Sequence, residues 1–289
     1  MLKIALPNKG RLADDVRELF NDAGLEVRSR GERALTASLG GEFEAIFVRA
    51  QDIPEFVADG AADAGITGWD LVSESGRHLT QLMDLEFGRC RLSVAVRDES
   101  GIQSVADLQG SPRVATCFPR ATQRFFEQHG KRVEVVPVSG AAEIAPHLGI
   151  ADIVVDLVST GSTLKVNGLR EVATVLESSA RLIAVDGASP RANAEDKQHK
   201  LDELVMALSS VLRARGKRYV MANVPKAQLE KVKGVLPGLN GPTVVDVLGG
   251  NVVAVHAVVD AKGIYRTVAS LKALGCEGIL VTRIERLMP

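Results

Sequence analysis

The chain has 289 residues, 46% of them hydrophobic and only 4% aromatic, and its 35 Lys+Arg nearly balance 36 Asp+Glu for a net charge of -1. That length accommodates two or three ordinary domains. The near-zero charge excludes broad electrostatic capture of nucleic acid or an anionic membrane, the scarcity of aromatics excludes a stacking platform for single strands, and no run approaches the ~20 apolar residues that span a bilayer.

In chain order, Leu2–Leu6 is a short apolar run, too short for a signal peptide, and Pro7-Asn8-Lys9-Gly10-Arg11 ends it. Leu12, Val16, Leu19, Phe20 and Ala23 then recur at helical spacing, with Gly24 as the C-cap. Phe43–Val48 is a second strand ended by Arg49, and Asp52 is placed to cap a short helix running to Gly60. Ala62–Ile66 is a third strand, followed by Thr67-Gly68-Trp69-Asp70 and another short helix. Strands alternating with helices imply a largely parallel, doubly wound sheet.

A second set begins near Arg91–Val96. Ser104 with Asp107 resembles a capping box, Arg113–Cys117 is a strand, and a helix follows it to Gly130. Val133–Val138 is a strand with a helix from about Ala141, and Ile150–Val158 is the next strand. Val172–Leu176 and Leu182–Val185 follow, the latter placed to return to the first lobe. Residues 186–200 read as a solvated turn into an amphipathic helix carrying Leu201, Leu204, Val205, Leu208, Val211 and Leu212. From Lys217 the order becomes strand Tyr219–Ala222, helix Lys226–Val235, strands Thr243–Leu248 and Val252–Val258 around Gly249-Gly250-Asn251, helix Ile264–Leu274 and strand Gly278–Thr282. That βαββαβ order is the ferredoxin-like split unit.

Candidate chemistry concentrates after the Ile150–Val158 strand. An apolar, β-branched run carries Asp152 and Asp156 and ends in Ser159-Thr160-Gly161-Ser162-Thr163. Strand, glycine loop and helix start gather N–H donors around a phosphate, and hydroxyls add more. The same residue types also make ordinary turns, but an acid in a buried apolar run needs a reason. The carboxylate can take sugar hydroxyls or a hydrated divalent cation, so the pair of features points to a phosphorylated sugar. Lys9, Gly10 and Arg11, Arg49, and Asp70 each follow a strand of the first lobe, where ligands collect in doubly wound sheets. Singly, each also reads as solvated charge, a surface ion pair or a helix cap. Glu143 lies beside Gly140, where it can reach the sugar site. The five histidines are scattered, and there is neither a Gly-x-Ser-x-Gly nor a Walker-type loop, so covalent catalysis is not indicated. Cys90, Cys117 and Cys276 are odd in number and far apart, which argues against disulfides and zinc sites and for a reduced, cytoplasmic setting.

These residues resemble one family along the whole chain. Ala5-Leu6-Pro7-Asn8-Lys9-Gly10-Arg11-Leu12, Asp63-Ala64-Gly65-Ile66-Thr67-Gly68, Gly140–Pro146 and above all Asp156-Leu157-Val158-Ser159-Thr160-Gly161-Ser162-Thr163-Leu164 match ATP phosphoribosyltransferase in its long, self-regulated form. Tyr219-Val220-Met221, Pro237-Gly238-Leu239 and Gly241-Pro242-Thr243 match that family's C-terminal domain. The resemblance implies two doubly wound, periplasmic-binding-protein-like catalytic lobes, lobe I about 1–89 plus 181–212 and lobe II about 90–180, and a ferredoxin-like regulatory domain at 213–289. It implies transfer of the phosphoribosyl group of phosphoribosyl pyrophosphate to N1 of ATP, with pyrophosphate released and Mg²⁺ held mainly by substrate. It places the 5′-phosphate on Ser159, Thr160, Gly161, Ser162 and Thr163, and the ribose on Asp156 with Glu143 nearby. ATP or pyrophosphate falls to Lys9, Gly10, Arg11, Arg49 and Asp70, and Asp156, Lys9 and Arg49 become the catalytic candidates. It further implies histidine feedback inhibition through Asn223, Leu239, Thr243 and Thr282, and a homo-oligomer between dimer and hexamer. Phe118 stands where the family often has Tyr, so a role for a phenol hydroxyl there is not carried over.

Overall fold

Alternation of buried and exposed positions builds the first sheet around β1 (Leu2–Pro7), whose residues are buried except for Lys3. A computed structural model describes residues 1–29, 31, 34–185, 194–248 and 250–288. The turn expected over 186–193 and Gly249 of the expected hairpin lie outside them. The remaining elements of the first lobe are α1 (Arg11–Asp22), β2 (Val27–Ser29), β3 (Thr36–Leu39), β4 (Phe43–Val48), α2 (Ile53–Ala58), β5 (Ala64–Gly68), α3 (Trp69–Ser75) and β6 (Leu79–Asp84). The second lobe contains β7 (Cys90–Arg97), β8 (Arg113–Thr116), α4 (Pro119–Gln128), β9 (Glu134–Pro137), β10 (Ile153–Val158), α5 (Ser162–Val166) and β11 (Leu169–Ser178). Next come β12 (Ala180–Val185) and α6 (Ala194–Ala214), and then β13 (Lys217–Pro225), α7 (Leu229–Val235), β14 (Thr243–Asp246), β15 (Val252–Asp260), α8 (Ile264–Ala273) and β16 (Glu277–Arg283).

The chain divides into two compact units, Met1–Asn21 with Leu25–Asp202, and Asp22–Gly24 with Glu203–Pro289. The first unit holds two sheets, ordered β2-β3-β4-β1-β5-β12-β6 and β11-β7-β10-β8-β9. β12 pairs with β5 and β6, so it does return to the first lobe, giving the two-lobed, periplasmic-binding-protein-like form. The chain crosses between lobes twice, after β6 and after β11. The crossings are tied together, Leu85 N–H donating to the Ala180 carbonyl at 2.9 Å and Ala180 N–H to the Phe87 carbonyl at 3.0 Å. A further tie is Glu74 on α3, which accepts from the N–H groups of Arg120 and Ala121 at the start of α4, at 3.0 and 2.9 Å.

Several expectations are corrected. Both sheets are mixed rather than largely parallel: β4-β1-β5 and β10-β8-β9 run parallel, while β2, β3, β6, β7, β11 and β12 pair antiparallel. β2, β3 and β6 are additional strands. Asp52 makes no capping bond through its side chain; its N–H instead donates to the Arg49 carbonyl at 2.9 Å. No α-helix starts at Ala141. A single 3₁₀ turn, Ala142–Ile144, stands there, entered through Ala141 at φ 49°. Pro146 contributes in a different way from the usual one: Ala145 before it stays in the α region at φ -57°, ψ -38°, but Pro146 has no N–H to donate to the Ala142 carbonyl, so an α-helical ladder cannot run through it.

The second unit carries its own sheet, ordered β14-β15-β13-β16 and antiparallel throughout, the ferredoxin-like arrangement. Val220, Val224, Val232, Leu236, Val255 and Leu271 form its core on one face. No helix among the described residues is long and apolar enough to cross a membrane.

Candidate functional site

β10 explains why an acid can sit in an apolar strand. It is paired on both sides, antiparallel to β7 and parallel to β8, and alternate residues fill the cores of the lobe. Asp152 fastens its start: the Asp152 carboxylate accepts from Arg113 N–H at 2.8 Å, and Asp152 N–H donates to the Arg113 carbonyl at 2.8 Å. At the other end Asp156 is half-buried and lines a cavity of about 240 Å³ together with Glu143, Ser159, Thr160, Gly161 and Thr163. The structure thus brings the acid, Glu143 and most of the hydroxyl loop to one place. Ser162 is not part of that lining; its hydroxyl lies 3.0 Å from that of Thr160.

Burial raises the Asp156 carboxyl above the usual carboxylate range, and the neighbouring Glu143 charge raises it further; a bond from Leu157 N–H at 2.8 Å pulls the other way. The Cys117 thiol is pushed up by burial and then by the charges of Asp156 and Glu143. Two carboxylates in one concave, partly dry site repel unless hydroxyls or a cation come between them. Gly161 at φ 79° is the N-cap of α5, a conformation glycine adopts without strain. α5 has only five residues, so its dipole is weak; the loop's donors are its individual N–H and hydroxyl groups.

The predicted cations gather on the other lobe. The β1–β4 register sets Pro7 beside Val48, and Asn8 N–H donates to the Val48 carbonyl at 2.8 Å, so Lys9, Gly10, Arg11 and Arg49 share one end of the sheet. The Arg49 guanidinium is not paired with Asp52, and the Lys9, Arg11 and Arg49 side chains meet no acid among the described residues. Asp70 is placed differently. It is 5% exposed and accepts from the Ser178 hydroxyl at 2.5 Å, at the crossing between lobes. Burial raises its carboxyl, outweighing the bonds that lower it. Beside it a cavity of about 280 Å³ is lined by Arg89, Cys90, Arg91, Ser159, Ser178 and Arg181. Sequence reasoning singled out none of these but Ser159. A larger cavity, about 610 Å³, lies along α4 and β9, away from the loop. Phe118 is 6% exposed and packs in the core of the second lobe, so its ring contacts protein.

In the second unit Asn223 on β13, Thr243 on β14 and Thr282 on β16 share the sheet face opposite the core, and Leu239 is half-exposed in the loop after α7. Thr243 and Thr282 stand on opposite edge strands, three inter-strand steps across and two residues along, or ~16 Å apart. One copy of the sheet therefore does not bring those two together around one small ligand. Between them Tyr219 OH and His256 Nδ1 are 2.9 Å apart.

A family model described as ATP phosphoribosyltransferase matches residues 49–210, and a second, its C-terminal domain, matches residues 214–286. A protein of Gemmatimonas aurantiaca named ATP phosphoribosyltransferase is 71% identical over 293 residues, covering 100% of both chains. One of the same name from Natronomonas pharaonis is 48% identical over 289 residues, again with 100% of both chains covered. Among solved structures, a chain of the ATP phosphoribosyl transferase (HisG:HisZ) complex from Thermotoga maritima is 30% identical with a TM-score of 0.62, covering 72% of this chain and 99% of its own.

Proposed function

The chain belongs to the ATP phosphoribosyltransferase family of histidine biosynthesis, and from that premise we propose that it joins N1 of ATP to C1 of phosphoribosyl pyrophosphate and releases pyrophosphate. The observation that carries the reading is the cavity where Asp156 and Glu143 meet the Ser159–Thr163 loop, with cations that meet no acid among the described residues at the strand ends of the other lobe. The adenine nitrogen brings its own lone pair, so no Ser–His pair is needed. What the reaction demands is alignment of two anionic substrates and stabilisation of a cationic sugar and a departing anion, which positioning and electrostatics supply.

In this reading Ser159, Thr160, Gly161, Ser162 and Thr163 hold the 5′-phosphate. Asp156 and Glu143 accept from the ribose hydroxyls. Lys9, Gly10, Arg11 and Arg49 face ATP or pyrophosphate, and Asp70 borders that side from its buried position. Among the described residues no three His, Cys, Asp or Glu side chains are grouped to hold a metal ion. The Asp156–Glu143 pair fits Mg²⁺ that arrives on pyrophosphate oxygens and keeps most of its water. Bound there, Mg²⁺ would neutralise charge on the leaving pyrophosphate. Histidine inhibition is assigned to Asn223, Leu239, Thr243 and Thr282. Assembly into dimers and a hexamer is assigned on the resemblance and on the open faces of β14 and β16, where Val245 and Leu280 are 48% and 55% exposed.

Two lobes around a cleft also suit a protein that only binds solute, and the sugar-phosphate cavity alone suits transfer to another base. Mixing the protein with ATP, Mg²⁺ and phosphoribosyl pyrophosphate should release pyrophosphate, with orotate and free purines giving none. No release from folded protein would defeat the transferase reading, and release with another base instead would change the acceptor.

The paired carboxylates make a second prediction. Activity requires ionised Asp156, whose carboxyl is held up by burial and by Glu143. Glu143→Gln removes the second cause, so the acid limb of the kcat/KM profile should move to lower pH even as kcat/KM at the plateau falls. A limb that stays in place would show that some other group sets it.

A further inference from the structure

Arg91 is the second residue of β7, opposite Val158 on β10 and Glu177 on β11. Its side chain makes a two-pronged bond to Glu171: Nε donates to Oε2 at 2.6 Å and Nη2 to Oε1 at 2.5 Å. Glu171 lies farther along β11, level with Ala95, at a register shift that inserts Val172 before Ala173. Such bulges re-aim side chains beside functional sites. Both ends of the pair reach the loop. Arg91 Nη1 donates to the Ser159 carbonyl at 3.4 Å, and a Cβ built on Gly161 would lie 3.5 Å from Glu171 Oε1.

We propose that the Arg91–Glu171 pair is a positioning strut for the Ser159–Thr163 loop, fixing the donors that receive the sugar phosphate without touching substrate. The geometry separates this role from two others. Three of the five guanidinium N–H groups are committed to protein, Nε and Nη2 to Glu171 and Nη1 to the Ser159 carbonyl, so the side chain is oriented by the loop and its neighbour rather than held open for an anion. A pair serving stability alone needs no contact with the loop, and here both partners reach it. The bond to Arg91 also holds the Glu171 carboxyl below its usual range, so the pair stays ionised at working pH. Because the fork is planar and bidentate, a lysine at 91 keeps the charge and loses the geometry.

The inference rests on the transferase reading for its substrate, so the test carries one readout that does not. In the full chain, Glu171→Ala and Arg91→Lys should each raise the KM for phosphoribosyl pyrophosphate about tenfold while the KM for ATP and kcat change far less, as expected when ground-state binding at one subsite is loosened. Hydrogen exchange of the 159–163 amides should quicken, with β7 and β10 amides as protected as before and the melting temperature nearly unchanged. Unaltered loop exchange in both variants would overturn the strut whatever the kinetics. So would a wild-type KM in Arg91→Lys, or both KM values rising together with a lowered melting temperature. If the wild type proves inactive while loop exchange quickens in the variants, the substrate reading fails and the strut stands.

Discussion

Asp156→Asn is expected to lower turnover about a hundredfold or more with the fold intact, the scale seen when a charged group that stabilises the transition state is removed. An ionised carboxylate accepts ribose hydroxyl bonds on both oxygens and offers negative charge to a sugar that becomes cationic as pyrophosphate leaves. The amide has the same shape, accepts on one oxygen only and carries no charge. Local structure should survive, because Oδ1 can still accept from Leu157 N–H and β10 keeps its ladders to β7 and β8. Stability should even improve slightly at neutral pH. The folded-state carboxyl is raised by burial, so the wild type favours the protonated form and loses stability as pH rises through the carboxylate range. The variant lacks that loss, and the difference should vanish once both states of Asp156 are protonated. Steady-state kinetics with thermal melts at several pH values check both halves; near-normal turnover would remove Asp156 from its assigned role.

The parts of the fold that could be read from the chain are those whose information is local. β4 was bounded by its own alternation and by Arg49, and β13 to β16 by turn glycines and short apolar runs. The hydroxyl loop stood out because an acid interrupts a β-branched run. β2 and β6 were not legible: β2 has three residues, and β6 has no fully buried position, so neither shows a strong pattern. The helix expected at Ala141 had the composition of a helix and lacked the ladder: Pro146 donates no N–H, the following residues form successive turns, and Gly149 at φ 67° ends them. Arg91 and Glu171 lie 80 residues apart, and only the β7–β11 register with its bulge brings them under the loop. Asp70 looked like a loop acid after a strand; its burial depends on Ser178, which is 108 residues away. Local pattern thus announced where a ligand's groups would be received. The supports beneath them came from long-range pairing, which leaves no signature in a single sequence.

Removal of the chain from Lys217 onward should abolish inhibition by histidine while phosphoribosyl transfer continues. The four strands and two helices beyond that point close their own core around Val220, Val255 and Leu271, so the cut takes away a whole folding unit's sheet and not part of one. The catalytic candidates Asp156, Lys9 and Arg49, and the sugar-site residue Glu143, all precede the cut by more than one element. Inhibition at a distance requires histidine to bind two states unequally, a coupling typically of 1–3 kcal/mol, roughly 5–150-fold in affinity. With the histidine site gone that coupling is zero, and the dose–response should be flat. The cut also falls just beyond α6, whose Glu203–Ala214 stretch groups with the second unit and whose Leu204, Leu208 and Val211 are buried in the full chain, so any of them that it uncovers adds an apolar stripe. Loss of solubility from that exposed stripe would be a separate effect, so Thr243→Ala and Thr282→Ala in the full chain belong beside it. Each removes one hydroxyl from an exposed sheet face, away from the core, and should leave melting and basal turnover unchanged. Each should also raise the half-inhibiting histidine concentration about tenfold, the cost of one lost hydrogen bond to a charged ligand. Because the two threonines lie on opposite edges of the sheet, a loss in both variants would mean that one histidine meets two copies of the domain. A loss in only one would place the ligand within a single copy. Unchanged inhibition in both threonine variants, together with a truncated protein that still responds to histidine, would remove the sensing role from this domain.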